Sequence, residues 1–266
     1  MATNLVVCMT GGHAAWIGRE ADGPEEVRKA VREQLKAGAD NVKFIATGGV
    51  MTPGVDPGAQ QLTYEELRAG IEEAHKAGKI TAAHAHGADG IRAAVLAGVD
   101  SIEHGSFMTD EIMHLMQERG TYYSVTLCSG QGFADAPRGS VADWALKKGL
   151  HVRETLFETF RRAYETGVKL VLGTDAGTPF NRHGENAREL ALMVQLGADP
   201  LDALRAGTRN SAELLRLADR LGTLEVGKLA DLVLCSGDVA HDVGRLCERA
   251  NIRTVVQGGR IVHGSA

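Results

Sequence analysis

Short runs of β-branched and apolar residues alternate along this chain with longer stretches whose apolar positions recur at helical spacing. The β-rich runs at 5–9, 41–45, 80–84, 100–103, 122–127 and 169–172 predict six strands. Amphipathic stretches at 24–36, 63–76, 88–97, 110–118, 141–166 and 187–196 predict helices between and after them. The first has Pro24 at its start and Gly38 beyond its end, the usual asymmetry of a helix. The second opens on Thr63-Tyr64-Glu65-Glu66, a capping pattern in which the N-cap side chain and the N3 carboxylate serve each other's backbone N–H.

An Ala-Gly pair recurs before strands at Ala37-Gly38, Ala77-Gly78 and Ala97-Gly98, with Thr166-Gly167 as a variant. Each ends a helix and turns the chain into the next strand. Strand and helix in repeated alternation predict an α/β fold with a parallel sheet and helical crossovers. After Leu217 the texture changes. A turn-rich connection leads to short strands at 230–235, 254–256 and 260–262, the last two flanking a Gly258-Gly259 hairpin turn. Two units are expected: 1–217, a (β/α) barrel portion, and 218–266, a small β-rich portion.

Composition narrows the function. The 266 residues are 44% hydrophobic and 24% charged, enough for a full core. A formal charge of −5 gives no general attraction to nucleic acid or anionic lipid, so neither partner is expected. No apolar run reaches transmembrane length, and Leu5-Val6-Val7-Cys8-Met9 is too short and lacks the basic flank of a secretory signal. The 4 cysteines form no C-x-x-C pair, which argues for reduced thiols and a cytoplasmic location.

The chemistry lies where polar residues end the strands, because parallel α/β folds collect reactive groups at the C-terminal strand ends. Lys43 interrupts an apolar run before Gly48-Gly49. His84-Ala85-His86 ends another strand, Glu103-His104 a third, and Thr174-Asp175 a fourth. Each has an ordinary explanation on its own: a lysine reaching solvent, a hydrogen-bonded histidine, a turn-forming aspartate. Their joint placement at successive strand ends argues for one converging site. Imidazoles and a carboxylate suit zinc, manganese or iron. A protonated lysine repels a cation, so Lys43 fits only if CO₂ converts it to an anionic carbamate. The glycine pairs at 11–12 and 48–49 match neither phosphate-loop spacing.

The order Lys43, His84, His104, Asp175 resembles strands four, five, six and eight of amidohydrolase superfamily barrels. It is most similar to the imidazolonepropionase-like subgroup that includes Xaa-Pro dipeptidases (prolidases). The resemblance rests on Thr10-Gly11-Gly12-His13, Lys43 with Ala46-Thr47-Gly48-Gly49-Val50, His84-Ala85-His86-Gly87, Ile102-Glu103-His104-Gly105, Gly173-Thr174-Asp175-Ala176-Gly177-Thr178-Pro179, and the run from Leu221-Gly222-Thr223 to Leu232-Val233.

It implies a TIM-type (β/α) barrel with a C-terminal β-sandwich portion and a metal-dependent hydrolase of amide bonds. Dipeptides, Xaa-Pro or N-acyl amino acids would be the substrates, cleaved by a metal-activated water. One or two divalent ions are implied, zinc foremost, with manganese or iron as alternatives, and Lys43 would be a carbamate able to bridge two of them. His84 and His104 would bind the more exposed ion. Asp175 would bind the more buried one and act as general base. His86 faces the same side as His84 and is read as a substrate contact, an outer-sphere group or a ligand. His13 and His183 are further substrate contacts, and the 47–57 loop is a candidate lid.

The family's H-x-H on the first barrel strand has no counterpart upstream of Lys43. The chain is therefore expected to correspond to strands three to eight, completed by another copy or a complementing chain, or else to be a non-catalytic remnant that serves as a binding or assembly unit.

Overall fold

The computed structural model describes residues 3–264; positions 1, 2, 265 and 266 of the two expected units lie outside it. Helix α1 (Pro24–Lys36) starts with Pro24 in its first turn and Glu25 and Glu26 facing the positive helix end. Helix α2 (Tyr64–Lys76) forms the full capping box between Thr63 and Glu66. Gly38, Gly78 and Gly98 all have left-handed backbone, at φ +87°, +69° and +91°, which explains why the Ala-Gly pair recurs at these helix ends.

All six expected strands are present: β1 (Val6–Cys8), β3 (Asn41–Ile45), β4 (Ile80–Ala85), β5 (Ser101–His104), β6 (Tyr122–Ser124) and β7 (Leu170–Val171). They are parallel neighbours in chain order, with α3 (Ala88–Leu96), α4 (Asp110–Arg119), α5 (Leu127–Asp135) and α6 (Asp143–Thr166) in the later crossovers. A seventh strand, β2 (Gly18–Glu20), was not expected. It lies parallel to the outer side of β1, pairing Val6 with Gly18 and Cys8 with Glu20. Its three residues, Gly-Arg-Glu, carry no apolar signal, and only tertiary pairing makes them a strand. Among the described residues the sheet runs β2-β1-β3-β4-β5-β6-β7 and stays open, with β2 and β7 at its edges.

Alternation along the strands sorts side chains into two layers. Val42, Phe44, Ala83, Ala85 and Ile102 are fully buried in one core with Val27, Val31, Leu67, Ile71, Ile91, Ile112, Met113 and Met116 of the helices. The intervening positions, including Lys43, His84 and Glu103, fall on the opposite face of the sheet. Most ends shift by one or two residues, and one departure from expectation bears on the strand ends: helix α5 was not expected. The 122–127 run ends as a strand at Ser124, and Leu127 already begins α5, because Thr126 turns the chain at φ +60°. Beyond α7 (Ala187–Gln195), the chain continues through α8 (Pro200–Arg205), a π-helical turn (Ala206–Asn210) and α9 (Ser211–Leu214). The strands β8 (Leu232–Cys235), β9 (Ile252–Gln257) and β10 (Arg260–Gly264) form a separate antiparallel sheet. Gly258 and Gly259 both have positive φ, as a type I′ hairpin turn requires.

Candidate metal centre

Register carries the strand ends into one place. In β3–β4 Ile45 pairs with His84, and in β4–β5 His84 pairs with Glu103 and Ala85 with His104. His84, His86 and His104 are all buried, and their ligand atoms lie within 4.8 Å of one another. The ring centroids of His84 are 4.8 Å from His86 and 4.7 Å from His104, and those of His86 and His104 are 4.8 Å apart. His13, from the loop after β1, closes the group with its ring 4.5 Å from His84.

Each ring is held by a hydrogen bond that leaves one nitrogen available. His84 Nε2 is 2.8 Å from the Gly48 carbonyl oxygen, so it carries the proton and Nδ1 keeps its lone pair. His86 Nδ1 meets Ser106 Oγ at 2.8 Å and His104 Nδ1 meets Thr126 Oγ1 at 2.7 Å, leaving Nε2 in both. Such partners fix ring orientation at metal sites.

Burial keeps the rings neutral. It drives the pKa of His84 well below the usual histidine value, with His104, His86 and His13 adding to the effect. Burial does the same for His104, helped by His86 and Lys43. His86 is lowered to about 3 by burial and then by His13. His13 is lowered to about 4 by burial, Lys148 and Lys43. Neutral imidazole is the ligating form, and three of them suit a zinc-type cation. The donor set therefore fits a divalent metal.

Lys43 and Asp175 stand outside this triad. Lys43 is half-buried on β3, opposite Ala82, and its charge acts on His13, His104 and Asp175. Asp175 follows β7 in left-handed backbone, at φ +55°, and accepts a hydrogen bond from Ser129 Oγ at 3.2 Å. Solvent touches Asp175, yet the protein around it crowds out enough water to raise its carboxyl pKa, against the opposing charge of Lys43. His183 is exposed; its Nε2 lies 3.4 Å from where a side chain on Gly177 would begin.

The 47–57 loop folds over the histidines. Thr52 Oγ1 meets His13 Nδ1 at 2.7 Å, and Gly49 packs flat on the His13 ring, where an added Cβ would collide. Lys148 Nζ from α6 donates to the carbonyl oxygens of Thr52 and Val55 and so pins the loop. A cavity of about 400 Å³ lies beside it, lined by Val55, Asp56, Phe107, Lys148 and His151.

Sequence reading missed Thr126, Ser129, Ser106, Thr52 and Lys148, whose roles depend on long-range contacts. It also missed Glu189, a fully buried carboxylate in α7. Glu189 Oε1 and Oε2 accept from the backbone N–H groups of Leu127 and Cys128 at 2.6 and 2.8 Å. Burial raises its pKa to about 7 against those two donors, with Asp175 raising it further. A signal was present: Glu189 shares the buried stripe of α7 with Leu192 and Met193, at i+3 and i+4.

The amidohydrolase family profile matches residues 1–262. This chain belongs to the amidohydrolase family. It is 35% identical over 248 residues to the ochratoxinase of Aspergillus niger, an alignment covering 92% of this chain and 50% of that protein. Among solved structures it superposes on a Xaa-Pro dipeptidase with methionine in its active site at a TM-score of 0.91, with 38% identity over 97% of this chain and 66% of the other. A prolidase complexed with N-methylphosphonate-L-proline gives a TM-score of 0.89, with 28% identity over 98% of this amidohydrolase chain and 68% of the prolidase. The chain thus spans about half the length of the curated relative it matches. No helix among the described residues is long and apolar enough to cross a membrane.

Proposed function

We propose that this amidohydrolase chain carries the catalytic face of a metal-dependent hydrolase acting on amide bonds of dipeptides, Xaa-Pro or N-acyl amino acids. The observation that carries the reading is the buried triad of neutral imidazoles, His84, His86 and His104, at strand ends shared with Lys43 and Asp175. His84 Nδ1, His86 Nε2 and His104 Nε2 would hold a divalent ion, zinc foremost. Such an ion supplies Lewis-acid polarisation of the amide carbonyl and acidifies water. Asp175, whose carboxyl has a raised pKa, accepts the proton from the attacking water and returns it to the leaving amine. Lys43 joins the set as a carbamate, which turns a repelling cation into an anionic ligand. His13 contacts the substrate under the 47–57 loop, and His183 contacts it from the rim. The substrate class is supported by the amide-directed relatives.

The open sheet favours a second element of this reading. Among the described residues β2 has a strand partner on one side only, whereas the outer side of β7 is met by Asn210 Nδ2 on the Leu170 carbonyl oxygen and by the Ala206 carbonyl oxygen on Leu172 N–H; Val233, Leu234, Ile261 and Val262 of the C-terminal sheet are more than 45% exposed. Residues 1–217 and 218–266 would act as barrel and β-sandwich portions that pair with another copy or a complementing chain.

The test is metal analysis and turnover of the purified chain with zinc on Xaa-Pro dipeptides and N-acyl amino acids, alongside native mass. One or two zinc ions per chain, and hydrolysis abolished in Asp175→Asn, support the reading. A metal-free, inactive chain whose oligomers ignore zinc identifies a non-catalytic assembly unit instead.

A further inference from the structure

We propose that Glu189 is a positioning residue that sets His104 and Asp175 together, through the turn between β6 and α5. The inference builds on the reading of those two residues as working members of the site.

The turn lacks the usual means of holding itself. Thr126 occupies the N-cap position of α5, but its side chain caps nothing, because Oγ1 is 2.7 Å from His104 Nδ1. It is also a β-branched residue in left-handed backbone, a conformation that persists only when its surroundings over-determine it. The next two N–H groups, of Leu127 and Cys128, belong to buried residues at a helix start, where no intrahelical acceptor exists. Glu189 supplies both acceptors from a different helix, α7, at 2.6 and 2.8 Å. The carboxylate therefore replaces the missing cap and frees the Thr126 hydroxyl to face the histidine.

The same turn has a second output. Ser129, the third residue of α5, donates from Oγ to Asp175 Oδ2 at 3.2 Å. Thr178 Oγ1 approaches that hydroxyl at 3.4 Å, and Asn181 Nδ2 donates to the carbonyl oxygens of Thr174 and Asp175, so the 174–181 loop is braced against the same point. One buried carboxylate thus grips a turn whose two hydroxyls reach site residues on β5 and beyond β7. His104 and Asp175 are themselves in left-handed backbone, so the three strained strand ends meet at this clamp.

The experiment compares the wild type, Glu189→Gln, Ser129→Ala and the double variant, each confirmed folded by circular dichroism. Glutamine keeps one acceptor and turns an N–H toward the other donor. Imidazole 1H–15N correlations of the apo chain should move for His104 in Glu189→Gln while His13 stays in place. With zinc and an N-acyl amino acid, kcat should fall about tenfold at unchanged KM. Ser129→Ala should add no further loss in the double variant, because Glu189→Gln has already released the turn that carries Ser129. Unmoved His104 signals, a wild-type kcat in Glu189→Gln, or fully multiplicative losses would overturn the proposal. If Glu189→Gln does not fold, Thr126→Val and Ser129→Ala each cut one output, and their separate effects on His104 and on kcat decide it. A wild type that binds no zinc and turns nothing over, with the His104 shift present, leaves the clamp standing and removes the hydrolase reading instead.

Discussion

His104 Nδ1 lies 2.7 Å from Thr126 Oγ1, and both residues adopt left-handed backbone, at φ +71° and +60°. Two unfavourable conformations are thus joined by one hydrogen bond at the end of neighbouring strands. Thr126→Val keeps the shape and removes the hydroxyl. Zinc affinity, read by competition with a chromophoric chelator, should drop about tenfold, and Thr126→Ser should restore it. Equal affinities across the three proteins would show that the bond does not orient the ring.

Zinc should also stabilise the chain by mass action. At one hundred times its Kd, a ligand bound only by the folded state adds about 2.7 kcal/mol, a rise in Tm of roughly 5–10 °C at this chain length. His86→Asn should lose most of that rise if His86 is a ligand, and none of it if His86 serves only the substrate. Differential scanning calorimetry with and without chelator separates the two.

Glu189 gives stability a defined pH slope. Burial raises its pKa from 4.5 to about 7 in the fold, so the folded state holds this proton more tightly than the unfolded state. The contribution is complete below about pH 4.5 and is lost as pH rises towards about 7, at most ~3 kcal/mol. Urea melts of the apo chain across that window should show this component in the wild type and lack it in Glu189→Gln. Parallel curves for the two proteins would contradict it.

Gly49 lies against the His13 ring with no room for a methyl group. Gly49→Ala should push the ring or the 47–57 loop aside. Zinc content should remain at the wild-type level while kcat/KM falls on the order of 10–100-fold. An unchanged kcat/KM would remove His13 and the loop from the substrate path.

Much of the scaffold could be read from the chain because its causes are local. Thr63 and Glu66 are three residues apart and cap each other; the Ala-Gly helix ends need only the φ freedom of glycine; Val42 and Phe44 alternate with Lys43 because a strand does. His84 and His104 were legible as candidate site residues for the same reason, as polar endings of apolar strands. The strand β2 was not legible, since Gly18-Arg19-Glu20 becomes extended only by pairing with β1. Helix α5 was not legible either: its segment reads as the end of a strand, and Thr126 reverses the backbone in a conformation that its residue type disfavours.

By itself, then, the sequence determined the alternation of six parallel strands with most of their helices and which polar residues end the strands, through periodicity, capping and turn chemistry. Tertiary structure decided the make-up of the candidate site. It drew His86 into the triad with His84 and His104, left Lys43 and Asp175 beside rather than within it, and assigned the ring partners Gly48, Ser106 and Thr126. It also placed Glu189 on a turn 61 and 62 residues away in the chain. The physical reason is range: a hydrogen bond across the fold depends on register and packing that no local pattern encodes, and burial lowers the histidine pKa values only once the strand ends and the loops above them have packed together.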